Sequence, residues 1–579
     1  MSNVVEVLGG EEVNASGHKD ELARQYGIWS LCGLALTIDN AWVALGGSIT
    51  VSIFNGGPPG ILYELLVACI YYGIVATCIA ELASAIPSAG GVYHWASVTP
   101  GPKYGRALGF FTGALNFFGW MFDLASIMQI AASIAVQLYA VFHPDLEIQA
   151  WHVYVAYLLL TVVCSSFCIF YNRLIPKLQD AGLFLVIVGG IITIIVVVSM
   201  PEKHASNAFV WTDWDNQTGW SSGVAFLTGV LNGAFTIGTP DAITHMAEEL
   251  PNPKRELPIA IAAQIILGCL TSFFFAIAIL YGINDIDAVL NSNGAFPLAA
   301  VYSQATNSKG ATFGLLLIIF FSVLICLVGT FLTVSRIWWS LARDNATPFP
   351  KFFSRVNHKL SCPIPSFILC TVFCAALGAI PLGSKTAFQD LVGSFIILTS
   401  TSYACAIAPH LFTGRKNVPF GPFRLGKWGF PIQAAAVLLI VFFNVMFCFP
   451  YAMPTSVSSM NYNSVILAGV LALTTVWWFI HGRTKYPGPK VAAPDEPEDI
   501  FQYALSRLFT DDLRNQHGEV SSILSYAPSS PSWPPIQLSL ADVRSESDRA
   551  RFAHYLWNAS VLTAEIISGP GRQDREAKT

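Results

Sequence analysis

The sequence predicts an all-α membrane protein: twelve transmembrane helices in a five-plus-five inverted repeat, with helices one and six broken. Composition is the first reason. The chain is 54% hydrophobic and 12% charged, where an average soluble chain is about a quarter charged. The second is the recurrence of apolar runs long enough to cross a hydrocarbon core of about 30 Å, which takes roughly 20 helical residues. The third is that two of these runs, at matching places in the two halves, are interrupted by residues that do not belong in lipid.

The runs fall at about 28–53, 59–83, 105–138, 151–171, 180–200, 222–247, 258–281, 311–341, 365–381, 387–412, 431–450 and 462–481. The third, sixth and eighth exceed the minimum, so they tilt or overhang. One set of connections holds Lys103, Arg106, Arg173, Lys177, Lys254, Arg255, Arg343, Lys351, Arg355, Lys359, Arg415, Lys416, Arg424 and Lys427, whereas the alternate set holds Lys203, Lys309 and Lys385. Basic connections stay inside, so both termini are expected in the cytoplasm. The expected domains are an N-terminal tail at 1–27, a twelve-helix body at 28–485 and a cytoplasmic appendage at 486–579. A removable signal peptide is not expected, because no basic start leads into a short apolar run. The net charge of −5 says little about partners. Most of the twelve cysteines lie inside the runs without metal-ligand spacing, so neither disulfides nor a metal site is expected. Asn216-Gln217-Thr218 is a glycosylation sequon in a connection expected to face outward.

The interruptions carry the functional signal. The first run contains Thr37-Ile38-Asp39-Asn40-Ala41-Trp42, and the sixth contains Gly238-Thr239-Pro240-Asp241. Lipid offers no water to the backbone groups that such a break releases, so a broken span survives where it lines a cavity inside protein. Paired broken helices with a site near the midplane are a transporter arrangement, and an ionisable residue at that depth is a functional candidate. These observations point to a secondary transporter.

Motifs at the span ends carry a resemblance. They are Asn40-Ala-Trp42, Gly56-Gly57-Pro58, Tyr93-His-Trp95, Pro102-Lys-Tyr104, Thr244-His-Met-Ala-x-Glu249, Ala342-Arg-Asp-Asn345 and Gly421-Pro-Phe-x-Leu-Gly-Lys427. In this order they resemble the amino acid–polyamine–organocation superfamily over about 20–485, and within it the fungal amino acid/choline/GABA branch, with fungal choline permeases the most similar. The resemblance implies the twelve-helix inverted-repeat fold, alternating access and proton coupling. Many members bind a substrate carboxylate through a Gly-x-Gly pattern in the first span. Here Asp39 and Asn40 stand instead, and a carboxylate there attracts a cation. Import of choline or a similar organic cation across the plasma membrane is therefore the leading expectation. A GABA, amino acid or polyamine permease is the alternative, and a nutrient sensor that does not transport is an alternative of another class.

The expected substrate site is Asp39, Asn40, Trp42, Trp120, Phe235, Gly238 and Asp241. Aromatic faces suit a quaternary ammonium, which cannot donate a hydrogen bond. Asp241, Asp39 and Asp123 are the candidates for proton coupling; a cap on the helix after Pro240 is the structural role for Asp241, compatible with the first. Glu81, Glu249 and Arg336, with Glu248 and Arg343 nearby, are expected to form a cytoplasmic gate. His245 reads as a satisfied helix histidine and Glu64 as interfacial. Expected partners are the small organic cation or amino acid, protons and the bilayer, with no nucleic acid, cofactor or catalytic residue. The tail motifs Glu496-Pro-Glu-Asp-Ile-Phe and Phe552-Ala-His-Tyr-Leu-Trp-Asn558 are similar to the leading segment of nicotinamide N-methyltransferase-like proteins. The glycine-rich turn of such enzymes does not follow, so a fusion remnant without methyltransferase activity is expected.

Overall fold

Among the described residues, twelve helices are long and apolar enough to cross a membrane. In chain order they are span 1, Ile28–Gly47; span 2, Ile53–Ala85; span 3, Pro102–Ala140; span 4, Ala150–Phe170; span 5, Asn172–Ser199; span 6, Ser222–Glu249; span 7, Pro253–Tyr281; span 8, Lys309–Arg343; span 9, Ile364–Leu382; span 10, Ala387–Phe412; span 11, Gly426–Met446; and span 12, Asn463–Lys485. The computed structural model describes residues 6–8, 11–13, 24, 26–290, 294–384, 386–457 and 460–489. Ahead of the bundle, Glu6–Leu8 pairs antiparallel with Glu11–Val13. The chain divides into two units, residues 1–492 and 493–579. The appendage expected at 486–579 lies outside the described residues apart from its first four.

Helix starts and stops follow local chemistry. Span 2 is kinked at Gly57, just before Pro58-Pro59, and proline is tolerated in a first turn because the N–H it lacks has no partner there anyway. Span 3 runs unbroken for 39 residues, about 58 Å at 1.5 Å per residue. It overhangs the hydrocarbon core, and its Lys103, Tyr104 and Arg106 are exposed. Span 5 begins earlier than the apolar run suggests, because a turn over Asn172–Leu174 leads directly into the helix Ile175–Ser199. Hydrogen bonding carries a helix past the edge of its apolar stretch.

The packing repeats between the halves. Span 1 lies against spans 5 and 7, and span 6 lies against spans 10 and 2; span 3 packs on span 10 as span 8 packs on span 5. Adding five to each partner number maps one set onto the other, taken modulo ten. Spans 3 and 8 also pack on each other. Spans 11 and 12 both pack on span 10, and also reach the first half, span 11 on span 2 and span 12 on span 3. Spans 4, 5, 9, 11 and 12 expose much of their apolar surface, as lipid-facing helices should. Spans 1, 3, 6, 8 and 10 are mostly buried.

One sequence expectation fails here. Glu64 is not interfacial: it is 1% exposed, lodged between spans 2 and 6 where Gly229 leaves room for its carboxyl group.

Candidate functional site

A single residue makes the break in span 1. Asn40 adopts left-handed backbone (φ 38°, ψ 43°), ending the helix Ile28–Asp39 and starting Ala41–Gly47. Asparagine visits this region more readily than most residues, and its Oδ1 accepts from Ser322 Oγ of span 8 at 3.0 Å. Span 6 breaks differently. Its helix Ser222–Ile237 stops at Gly238, where a Cβ would lie 2.7 Å from Ile396 Cδ1 of span 10. The chain resumes as a 3-10 helix, Ala242–Glu249. Ala242 N donates to Thr239 O at 3.1 Å and Thr244 N to Asp241 O at 2.9 Å. Eight residues is long for such a helix, whose looser hydrogen bonds mark hinges when they occur mid-span.

Gln264 of span 7 stitches the two breaks together. Its Nε2 lies 2.9 Å from Thr239 O, 2.8 Å from Thr239 Oγ1 and 3.2 Å from Asp39 Oδ1. Thr239 Oγ1 donates to the same Asp39 oxygen at 3.0 Å. The other oxygen, Asp39 Oδ2, is buried with no hydrogen-bond partner among the described residues. Asp39 therefore faces spans 6 and 7.

Asp241 is fully buried and surrounded by donors. Tyr403 OH donates to Oδ1 at 2.6 Å. On Oδ2 converge Asn116 Nδ2 at 2.8 Å, Trp120 Nε1 at 3.2 Å and His245 Nε2 at 3.4 Å. The carboxylate makes no capping bond to its own helix, so it is not a cap. From Asp241 an aromatic row runs along the bundle interior. The Trp120 and Phe395 ring centres lie 5.6 Å apart, and Phe395 meets Phe235 edge-on at 6.1 Å. Asp123 is 3% exposed, and no hydrogen bond to its carboxylate occurs among the described residues.

Trp42 does not join this row. Its indole N–H donates to Val186 O of span 5 at 3.1 Å, and its ring packs edge-on against Phe275 of span 7 at 5.1 Å. These contacts hold Trp42 between spans 5 and 7, and no ring contact joins it to Trp120, Phe395 or Phe235 among the described residues.

At the end of the bundle bearing the basic connections, buried ion pairs join the helices. Arg336 Nε of span 8 donates to Glu249 Oε1 at 3.0 Å, with the two side chains 0% and 2% exposed. Arg343 holds both oxygens of Glu248, at 2.7 and 3.1 Å. Tyr26, which is also buried, donates its backbone N–H to Glu249 O at 3.4 Å. Glu81 departs from the expected cluster, because it pairs with Arg415 beyond span 10. It also accepts from Leu425 N and Gln433 Nε2, each at 2.9 Å. Glu81 thus ties span 2 to the connection between spans 10 and 11.

At the opposite end a cavity of about 380 Å³ is lined by Phe54, Asn55, Thr228, Phe447, Phe449 and Tyr451, among others. Asn216 sits beside it in a folded turn, its Nδ2 donating to Trp220 O at 2.7 Å and its Oδ1 accepting from Thr218 Oγ1 at 2.7 Å.

Sequence reasoning missed Asn116, Phe395, Tyr403, Gln264 and Arg415. The legible signal for Asn116, Tyr403 and Gln264 was polar groups in the middle of apolar spans.

Residues 26–471 match the model of the amino acid permease family. The chain belongs to that family. The permease is 31% identical over 468 residues to a choline transporter of Saccharomyces cerevisiae, covering 80% of this chain and 83% of the relative. It is 27% identical over 508 residues to an uncharacterized amino-acid permease of Schizosaccharomyces pombe, covering 85% and 88%. A 7-keto 8-aminopelargonic acid transporter of S. cerevisiae is 27% identical over 519 residues, covering 78% and 91%. The permease is thus an integral, multi-pass membrane protein whose family transports small organic molecules and does not carry out enzymatic reactions.

Proposed function

We propose that the permease imports choline or a similar organic cation across the plasma membrane by alternating access, coupled to protons through its buried acids. The observation that carries this reading is the wall shared by Asp241 and the row Trp120–Phe395–Phe235, with Asp39 and Asp123 as further buried carboxylates of the bundle. Aromatic faces and negative charge together suit an ammonium that has no N–H to donate. An amino acid's carboxylate would meet Asp39 where its family counterparts offer backbone amides. The 31% identical relative named as a choline transporter supports the same class. In this reading the basic end faces the cytoplasm, the ion pairs there are the inner gate, and the cavity at the other end is the outer approach.

The test is labelled choline uptake in yeast that lacks its own choline uptake, with ethanolamine, GABA and polyamines as competitors. Choline is expected to compete best; GABA or neutral amino acids outcompeting it would move the protein to another substrate class.

The aromatic row carries a second expectation. Phe395→Ala and Phe235→Ala should each weaken apparent choline affinity by about 0.5–2 kcal/mol. Trp42→Ala should lower the amount of folded protein and leave affinity unchanged. Saturation curves on surface-expression-matched variants distinguish these outcomes, and an affinity loss confined to Trp42→Ala would place the cage at Trp42 instead of this row.

A further inference from the structure

His245 is 1% exposed, and both of its ring nitrogens face acceptors. Nδ1 lies 3.0 Å from the backbone carbonyl oxygen of Ala89, and Nε2 lies 3.4 Å from Asp241 Oδ2. A neutral imidazole has one N–H and one lone pair. The carbonyl can only accept, so Nδ1 carries a hydrogen. A second hydrogen must then sit between Nε2 and Asp241, because otherwise a lone pair would face a carboxylate already ringed by donors. The ring with both hydrogens, paired with an ionised Asp241, satisfies every contact.

Ala89 belongs to the turn Ser88–Gly91 that follows span 2, and it too is fully buried. The turn is built to receive the ring. Gly91 has φ +52°, and a Cβ there would lie 2.9 Å from His245 Cε1 and 2.8 Å from Thr244 Oγ1. Only glycine combines that backbone with that approach.

We infer that a proton held by His245 and Asp241 latches the turn 88–91 onto the 3-10 segment of span 6, so that the inner gate opens when the proton leaves. The inference rests on the transport reading only in taking the basic end as a gate. With the proton gone, the neutral ring has one N–H for two acceptors. Either Nε2 turns a lone pair to Asp241 or Nδ1 turns one to Ala89, and the latch loses one of its two contacts. The proton passes to water that enters as the gate opens, and it returns from water when the gate closes.

The surroundings bear on the sign. Asp241 is the charged group bonded to the ring. Tyr403 of span 10 bonds to Asp241, and the Tyr72 hydroxyl of span 2 lies beside the break at Gly238. Glu248 and Glu249, on the same segment as His245, are engaged with Arg343 and Arg336 of span 8. Across the turn, Tyr93 OH bonds to Asp344. In the inferred latch the ring carrying both hydrogens is the closed form, since only that form bonds to Ala89 O and Asp241 Oδ2 together.

The test uses full-length protein in lipid nanodiscs without substrate, so its result does not depend on which substrate is carried. Hydrogen–deuterium exchange of residues 86–99 is read between pH 5.5 and 8.5, with labelling times scaled to the intrinsic exchange rate. Wild-type protection should fall by up to about tenfold per pH unit above its midpoint, the limit for one linked proton. His245→Gln, which cannot take up a proton, should show protection that does not vary with pH. Gly91→Ala, which pushes the turn off the ring and leaves the pair itself intact, should also be flat. Wild-type protection independent of pH, or a wild-type slope surviving in either variant, overturns the inference. Absence of choline transport in a wild type that shows the slope would instead count against the substrate assignment alone.

Discussion

Asp241→Asn is expected to abolish concentrative uptake while leaving some exchange of substrate across the membrane. An amide cannot ionise, so it cannot share a proton with His245 or present a negative charge to the Trp120 face. Its NH₂ group would also confront donors that now converge on a carboxylate from Tyr403, Asn116, Trp120 and His245. Removing one partner of a buried ion pair costs about 3–5 kcal/mol, so surface expression must be measured alongside transport. Accumulation at external pH 5 and pH 7 is the readout, with a protonophore expected to collapse it in the wild type. An Asn variant that still concentrates substrate with the wild-type pH response would reduce Asp241 to an internal anchor. Coupling would then be sought at Asp39 or Asp123.

The second large effect is expected at the proposed inner gate. Glu249→Gln or Arg336→Ala leaves the other member of a fully buried pair without its counter-charge, again at about 3–5 kcal/mol. That is enough to shift the equilibrium between two gate states by about 10²-fold or more. Uptake should fall at least about tenfold by the same population argument, with the inner vestibule held open. Cys362 reports this directly. It is fully buried within reach of the Arg336 charge, and burial pushes its thiol up to about 11, which keeps it inert behind the closed gate. In a background without the other cysteines, Cys362 should react faster with a membrane-permeant maleimide in either variant than in the parent. Equal labelling rates would mean that the pair packs the helices without gating them.

The spans were legible because an apolar run of the right length has few alternatives in a chain so poor in charge. The breaks were legible because Gly238, Pro240 and Asp241 together oppose a continuous helix, and Asn40 is among the few residues that accept a left-handed turn. The walls of the site were less so. An Asn, Gln or Tyr inside a span looks the same in sequence whether it bonds to its own helix or to another 125 residues away, as Asn116 does with Asp241. Trp42 and Trp120 are the same residue beside similar polar neighbours. The difference between them is what each span packs against: Trp42, after the turn at Asn40, meets spans 5 and 7, whereas Trp120 on the unbroken span 3 meets Asp241 and Phe395. Glu81 was placed at the correct end with the wrong partners, since Arg415 lies 334 residues away in a basic connection that served only to orient the chain. His245 read as a satisfied histidine because the acceptor at its second nitrogen comes from the turn after span 2.

The central claim is that a negatively charged, aromatic-walled site carries an organic cation. Purified permease in proteoliposomes, with a potassium diffusion potential imposed by valinomycin, tests it most directly. Labelled choline should accumulate when the interior is negative and should be driven out when the sign is reversed, with Asp241→Asn failing to accumulate under either. Choline that does not enter under an inside-negative potential, while GABA or a neutral amino acid does, would contradict the account.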